Sequence, residues 1–325
     1  MGNFKLTREV EKLNREVVQQ TTFGDTWYVD YRSGLDTNSG QSKTAAFKTL
    51  SAAYAAAASN NNDVINIDGD STVVETAMIT WAKNRITVIC KESYARTIQQ
   101  SAKIQLGVTV AATDLAPILV TGTRNAFIGL KVINANTIAQ SLYGFIDNGE
   151  GTYLENFMSV VTGNIGRAGH AHFWMAGDAL TAKNVTFGHS TIVSTAAGYG
   201  ILIDAKTGGA ANVKECFLEN VIINMSVATA AVATSCFIKI ADNSAMNFVN
   251  AIDGLRGYHF IPSGQTIMTD AIIAAASTTA GVLDISNAVF FGVTGVGGGA
   301  GYGVNIAANS VDAVADGGLA TALTD

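Results

Sequence analysis

The feature of this sequence that most limits its fold is a loose internal repeat of short apolar runs, each interrupted by one Asn or Gly. Gly129, Asn156 and Asn184 hold the interrupting position at intervals of 27 and 28 residues. Internal periods of roughly 20–50 residues are typical of solenoids, in which each repeat forms one coil that stacks on the next. Asn tolerates a left-handed backbone at a tight corner, and its amide can hydrogen-bond along the axis. We therefore predict an all-β solenoid of parallel strands with Asn at one corner.

Later repeats are longer, since Asn250 and Asn287 are 37 residues apart. This interval predicts that some coils carry inserted loops. The alternative is an ordinary β-sandwich whose hairpins happen to be similar. The dipeptides that mark hairpin turns are rare in the chain, which favours the solenoid.

A second feature, the stretch from Trp27 to Gly69, places several local signals in a row. Trp27–Asp30 has the aromatic and β-branched content of a strand, and Arg32–Ser42 is rich in turn residues. Phe47–Ser59 is predicted to be a short Ala-rich helix, and Asp63–Gly69 a second strand that stops at a turn. The helix is expected to present one apolar face, made of Leu50, Ala53, Tyr54 and Ala57.

This stretch resembles the first segment of right-handed parallel β-helix proteins of the pectin-lyase-like kind, which include virion proteins of tailed bacteriophages. The matching residues are Tyr28-Val29-Asp30, Gly34, Asp36, Asn38-Ser39-Gly40, Ala46 to Leu50, the alanine run, and Asp63 to Ile67. The resemblance implies a single-stranded right-handed parallel β-helix in which the helix caps the open end and Val64–Ile67 starts the first coils. Lyases, hydrolases, phage tailspikes and non-enzymatic virion proteins share this fold, so the resemblance does not select a function.

Residues 1–22 are predicted to be an N-terminal helix that anchors or oligomerises the chain. Apolar residues spaced four, three and four apart form a heptad seam; they are Leu6, Val10, Leu13 and Val17. Two heptads are too few to fold alone, because isolated helices below about 12–15 residues are marginal. The seam is therefore expected to bind a partner or other copies of the chain. The alternative is an amphipathic helix that lies on its own domain.

The parallel β-helix domain is predicted to span residues 23–291, followed by a Gly/Ala-rich C-terminal loop and tail over residues 292–325. Gly292–Gly303 is predicted to be a loop with no packing role. It lacks the Lys-Ser/Thr pair of a phosphate-binding loop. The tail either caps the far end of the solenoid or reaches a neighbouring subunit.

Composition narrows the function classes. The net charge of −6 argues against a nucleic-acid-binding protein, which shows a basic face. Charged residues are 14% of the chain, which indicates extensive burial, inside the coils and between subunits. Cys90, Cys216 and Cys236 lack metal-ligand spacing and are predicted to be buried thiols. Neither a secretory signal nor a transmembrane run is recognised, so the protein is expected to be made in a host cytoplasm and to stay there or leave in a particle.

Carbohydrate-cleaving β-helices need clustered groups on one face: lyases combine calcium-binding carboxylates with an Arg or Lys base, and hydrolases use paired acids. Past Arg96 the arginines are Arg124, Arg167 and Arg256. The carboxylates of this region are scattered singly and are predicted to be solvated coil surface: Glu155, Asp178, Asp204, Glu215, Glu219, Asp242, Asp253, Asp270 and Asp284. We therefore predict no catalytic residues, no metal site and no cofactor.

His170 and His172 are the sharpest local candidates for chemistry. Two residues apart on a strand they face the same side, and His189 or Asp178 would complete a metal site. The preceding Gly163–Gly169 favours a loop over a regular strand. A polar loop or an interface is therefore the favoured interpretation.

Two weaker candidates remain open in the same way. Trp174 either stacks on a sugar or packs against neighbouring side chains of the protein. Asp30, Asp36 and Asn38 either hold a cation or close a turn by side-chain hydrogen bonds, and the second interpretation is favoured.

The sequence leads to two hypotheses of function. The first is a non-enzymatic bacteriophage virion protein, a trimeric capsid decoration or head-fibre protein that binds the major capsid protein shell and other copies of itself. The second is a tailspike or tail-fibre protein that binds or depolymerises host polysaccharide. A free polysaccharide lyase is disfavoured by the lack of an Arg cluster.

Overall fold

The computed structural model describes residues 24–69, 72–90, 103–107, 111–113, 115–204, 213–241, 246–261, 263–274 and 281–298, and strands at 304–306, 312–315 and 318–319. The predicted N-terminal helix lies outside the described residues. Its seam, Leu6, Val10, Leu13 and Val17, therefore stays a prediction. No helix in the described part of the chain is long and apolar enough to cross a membrane.

The described residues form mostly short strands, with one α-helix among them, α1 (Leu50–Ala56), and 3-10 turns at Lys43–Ala45 and Thr229–Ala231. In chain order the strands are β1 (Thr26–Val29), β2 (Val64–Ile67), β3 (Thr72–Glu75), β4 (Ile79–Trp81), β5 (Thr87–Ile89), β6 (Lys103–Leu106), β7 (Ile118–Val120), β8 (Ala126–Ile128), β9 (Lys131–Asn134), β10 (Ile146–Asp147), β11 (Tyr153–Glu155), β12 (Met158–Val161), β13 (His170–Met175), β14 (Thr181–Ser194), β15 (Gly198–Ile203), β16 (Val213–Lys214), β17 (Phe217–Val227), β18 (Cys236–Ile240), β19 (Met246–Asp253), β20 (Arg256–His259), β21 (Met268–Ala274), β22 (Gly281–Ser286), β23 (Val289–Phe291), β24 (Val293–Gly298), β25 (Val304–Ile306), β26 (Asp312–Ala315) and β27 (Gly318–Leu319).

These strands stack into a three-sided, right-handed parallel β-helix, as predicted. Side 1 contains β1, β2, β5, β8, β11, the first parts of β14 and β17, β19, β22 and β25. Side 2 contains β3, β6, β9, β12, the later parts of β14 and β17, β20, β23 and β26. Side 3 is a separate 8-stranded sheet: β4, β7, β10, β13, β15, β18, β21 and β24. Among the described pairs, β26 with β27 is antiparallel.

The first segment has the predicted order of elements. The side chain of Thr49 caps α1 by accepting from the Ala52 N–H, and Asp36 accepts from the Lys48 and Thr49 N–H groups, each at 2.9 Å. The helix is shorter than predicted because the backbone at Ala57 is extended. The predicted apolar face is otherwise correct: Leu50, Ala53 and Ala57 are buried, and Tyr54 stacks on Trp81.

The corner between sides 1 and 2 carries the predicted Asn ladder. Gly129, Asn156, Asn184, Asn220, Gly254 and Asn287 all have left-handed φ values there. The Asn220 amide donates to Asn184 Oδ1 at 3.3 Å, along the axis. The prediction that Asn250 occupies a corner position of this ladder is wrong. Asn250 is buried and accepts from the Cys216 N–H at 3.1 Å, and Gly254 forms the corner in its place because Gly adopts the left-handed backbone without strain.

The ladder yields a first prediction. Replacing Asn184 by Ala is expected to lower the free energy of unfolding by about 1–2 kcal/mol, because Ala is strained at this φ of 52° and cannot bond to Asn220. Asn184→Gly is the matched control: it loses the same bond but keeps the permitted backbone. Urea denaturation would measure both variants. A cost for Gly as large as that for Ala would contradict the backbone part of the explanation.

Aromatic rings form much of the core. Trp81, Phe127, Phe145 and Phe157 contact one another in sequence with ring centroids 5.0–5.3 Å apart, and all four side chains are fully buried. The three cysteines are free and buried, as predicted: Cys90, Cys216 and Cys236.

The prediction of a loop over Gly292–Gly303 is wrong in its first half. Strand β24 continues side 3 by parallel pairing with β21, and Val293 and Val296 are buried. The backbone groups of β21 offer hydrogen-bond partners whatever the side chains are, so a Gly-rich segment with two well-placed valines can extend the sheet.

Candidate ligand-binding face

The histidine pair lies inside the solenoid. His170 and His172 are on β13, not in a loop as favoured, and their side chains are almost entirely buried. His172 Nδ1 accepts from the Val161 N–H at 3.0 Å, and His170 Nε2 lies 3.0 Å from Ser194 Oγ. Burial, with the nearby histidines, lowers the pKa of His172 to about 3. The pair therefore holds neighbouring strands together as neutral imidazoles.

The residues expected to complete a metal site there serve elsewhere. Asp178 Oδ2 lies 3.4 Å from Lys214 Nζ, and His189 Nδ1 accepts from the Thr191 N–H. Within the described residues, no three His, Cys, Asp or Glu side chains are placed to hold a metal ion.

The two weaker candidates have structural roles. Trp174 is 8% exposed and packs on Tyr143, with ring centroids 4.7 Å apart on the outer surface of side 3. In the first turn, Asp30 accepts from the Arg32 N–H at 2.9 Å and the Asn38 amide donates to the Ala46 carbonyl at 2.9 Å. These are the side-chain hydrogen bonds favoured from the sequence.

The structure brings together four charged side chains that the sequence separates. Strand register places Glu155 beside Lys183, Lys183 beside Glu219, and Glu219 beside Asp253, on four successive coils of side 1. We call these four residues the charged row. Their strand neighbours Leu154, Ala182 and Leu218 point into the core, so the row faces outward. The prediction of singly scattered acids is therefore wrong for Glu155, Glu219 and Asp253, because inserted loops make their sequence spacing irregular.

Each carboxylate of the charged row is held by a neighbour. Lys183 Nζ lies 3.5 Å from Glu219 Oε2. The Tyr153 hydroxyl donates to Glu155 Oε2 at 2.8 Å, and the Ser286 hydroxyl donates to Asp253 Oδ1 at 2.8 Å. These contacts fix the direction in which the acids face.

A second outward row runs beside the first. Tyr153 pairs with Thr181, and Thr181 with Phe217, on three successive coils. All three side chains are partly exposed. Since adjacent parallel strands are about 4.8 Å apart, the two aromatic residues are separated by roughly 10 Å, with the small Thr181 between them. We call Tyr153, Thr181 and Phe217 the aromatic slot, because two aromatic residues flank the smaller Thr181 in the same outward row.

Side 1 also contains an open cleft near its beginning. The cleft has a volume of about 330 Å³ and is lined by polar groups that include Tyr28, Asp30, Lys43 and Asp68. Asn66 belongs to its wall and, through β5 and β8, lies in the same outward row as Glu155. The polar surface of side 1 thus recurs along the axis.

One carboxyl group with a strongly shifted pKa lies away from this face. Asp147, on β10, is fully buried; burial raises its pKa to about 6, although the Thr152 hydroxyl donates to it at 2.7 Å. Asp178 on the next coil raises this pKa further. A raised pKa suits a general acid, but Asp147 points into the solenoid, where a polymer does not reach it.

The chain matches no protein-family model and no curated protein. Among solved structures it is similar to pectate lyase Pel9A, with 15% identity over 90% of this chain and 76% of that one, and a TM-score of 0.58. It is also similar to the pectin methylesterase PemA from Erwinia chrysanthemi, with 13% identity over 85% and 81% of the two chains and a TM-score of 0.52. The Dettilon tailspike protein aligns with 11% identity and a TM-score of 0.32. The first two likenesses show that the chain has the parallel β-helix fold.

Proposed function

We propose that the protein is a non-enzymatic virion component that binds an extended polysaccharide along side 1, as a tailspike or tail-fibre protein would. The observation that carries this proposal is the aromatic slot running beside the charged row on successive coils. Pyranose rings have apolar C–H faces that pack on aromatic rings and hydroxyl edges that bond to charged groups. Two parallel rows along the axis therefore suit a sugar chain lying in the same direction.

Binding without cleavage is favoured by the placement of the acids. Glycan cleavage needs an accessible acid and base or nucleophile around one bond. Asp147 has the raised pKa of an acid but is fully buried. The exposed Glu155 and Glu219 are already engaged by Tyr153 and Lys183. Depolymerisation of the polysaccharide, which the similarity to pectate lyase suggests, is therefore the second candidate function.

The virion assignment rests on the predicted heptad seam and on the resemblance of the first segment to phage β-helices. The sequence favoured a capsid-decoration role, but neither the structure nor the comparisons support it. We therefore propose the tail-associated role. Self-association into a trimer through the seam, Leu6, Val10, Leu13 and Val17, remains part of the proposal.

The test is calorimetric titration of a panel of hexasaccharides made of neutral, acidic and amino sugars. Phe217→Ala is expected to weaken binding of the best ligand roughly fivefold, since an aromatic contact contributes about 1 kcal/mol. Phe260→Ala is the matched control, because Phe260 is 43% exposed and follows β20 on side 2. No binding by the wild-type protein, or an equal loss in both variants, would reject the site. Release of new reducing ends would reject the non-enzymatic assignment.

A further inference from the structure

We propose that side 1 selects polysaccharides by charge: it takes amino-sugar chains in preference to neutral chains and rejects chains of uronic acids. This inference rests on the proposed function of side 1 and names the class of ligand. It follows from the balance of charge on the face and from the hydrogen-bonding capacity of the groups that form it.

The charged row is acidic overall. It holds three carboxylates, Glu155, Glu219 and Asp253, and one ammonium group, that of Lys183. The ammonium lies 3.5 Å from Glu219 and is thus balanced by the protein itself. A ligand therefore meets an excess of negative charge.

The carboxylates also demand donors from the ligand. An ionised carboxylate accepts hydrogen bonds and donates none. Glu155 accepts from Tyr153 through Oε2, and Asp253 accepts from Ser286 and Asn287 through Oδ1. Since a carboxylate accepts through both of its oxygens, each group has capacity for further donors. A sugar ammonium or hydroxyl supplies such donors, and charge-assisted bonds from an ammonium are the stronger. A uronate adds another acceptor and a like charge, which is repelled.

Besides Lys183 within the row, two further cations flank the face at its edge. Arg124 and Lys214 lie at the corner between sides 3 and 1. Lys214 Nζ is 3.4 Å from Asp178 Oδ2 and so is balanced in the same way as Lys183. The aromatic slot between Tyr153 and Phe217 is neutral and accepts any pyranose, which leaves discrimination to the charged row.

The experiment compares three β- or α-linked hexasaccharides as probes: a glucosamine hexamer, cellohexaose and a galacturonate hexamer, titrated at mildly acidic pH and low salt. We expect the glucosamine hexamer to bind roughly tenfold tighter than cellohexaose, and the galacturonate hexamer to bind at least roughly tenfold more weakly than cellohexaose. Added salt is expected to reduce the first preference, because screening weakens interactions between exposed charges.

A variant separates charge from shape. Glu155→Gln keeps an oxygen that accepts from Tyr153 but removes one charge, so it is expected to weaken glucosamine binding roughly threefold more than it weakens cellohexaose binding. Asp270→Asn, on β21 of side 3, is the control and is expected to change neither. Tighter binding of the galacturonate hexamer, or an equal effect of Glu155→Gln on both probes, would overturn the charge selection alone. Failure of all three probes to bind would overturn the proposed function and this inference with it.

Discussion

Replacing Phe145 by alanine is expected to lower the free energy of unfolding by about 3–5 kcal/mol, the usual cost of truncating a buried aromatic side chain. Phe145 is fully buried, and its ring contacts those of Phe127, Phe157 and Phe173 at centroid distances of 5.3, 5.0 and 6.1 Å. One substitution therefore removes contacts to three separate segments of the chain at once, and the surrounding coils cannot collapse into the space without shifting their strand register.

In a solenoid each repeat contacts mainly its neighbours. The substitution is therefore expected to destabilise the coils around Phe145 most, in addition to lowering the total free energy of unfolding. Chemical denaturation followed by circular dichroism would give the total change, and amide exchange would show faster opening of the strands around β10. Phe260→Ala, at an exposed position, is the control and should cost less than about 1 kcal/mol. A loss for Phe145→Ala as small as this would mean that the aromatic core is not the main source of cohesion between coils.

Asparagine in place of Asp147 is expected to stabilise the protein above about pH 6 and to have little effect near pH 4. The pKa of Asp147 is raised from 3.8 to about 6 in the folded state, chiefly by burial. The folded protein thus binds this proton more tightly than the unfolded chain. Below the pKa of the unfolded chain, Asp147 is protonated in both states and does not change the free energy of unfolding. It becomes destabilising as the pH rises from about 4 to about 6. A shift of this size corresponds to about 3 kcal/mol at most.

The asparagine keeps the oxygen that accepts from Thr152 and Gly149 and replaces the other oxygen of Asp147, which has no hydrogen-bond partner within the described residues. The measurement is the difference in unfolding free energy between the variant and the wild-type protein across pH, which cancels the titration of all other groups. If the difference in unfolding free energy between Asp147→Asn and the wild-type protein did not change with pH, the pKa of this carboxyl would not be raised in the folded state.

The fold and the Asn corner could be predicted because their signals are local. A left-handed corner needs Asn or Gly whatever surrounds it, so Asn156 and Asn184 mark the turn in any sequence context. The existence of α1 follows from its alanine run, but its start was predicted at Phe47, whereas the side chain of Thr49 accepts from the Ala52 N–H and begins the helix at Leu50. The error at Asn250 has the same origin, because an Asn near a corner cannot be told from one inside the coil without the strand register.

The candidate site depends on register and could not be predicted in this way. Glu155, Lys183 and Glu219 become neighbours only after each coil closes, and loops of different length separate them in sequence. A search for aromatic–Leu–Glu triplets, which are Tyr153–Glu155 and Phe217–Glu219, each just before a corner Asn, would have aligned Glu155 with Glu219. The burial of His170 and His172 likewise reflects tertiary packing, which outweighs the Gly-rich segment before them.

The tight corner between sides 1 and 2 has a consequence for how such a chain can change over time. Each described coil from Gly129 onward crosses that corner within one left-handed residue, whereas the chain between sides 2 and 3 takes loops of varied length, such as 135–145 and 162–169. Insertions and deletions are tolerated in exposed loops far better than in paired strands. Loops between sides 2 and 3 can therefore lengthen or shorten while the spacing of Glu155, Lys183 and Glu219 stays constant. The contacts that these loops make and the ligand that side 1 recognises can thus diverge independently.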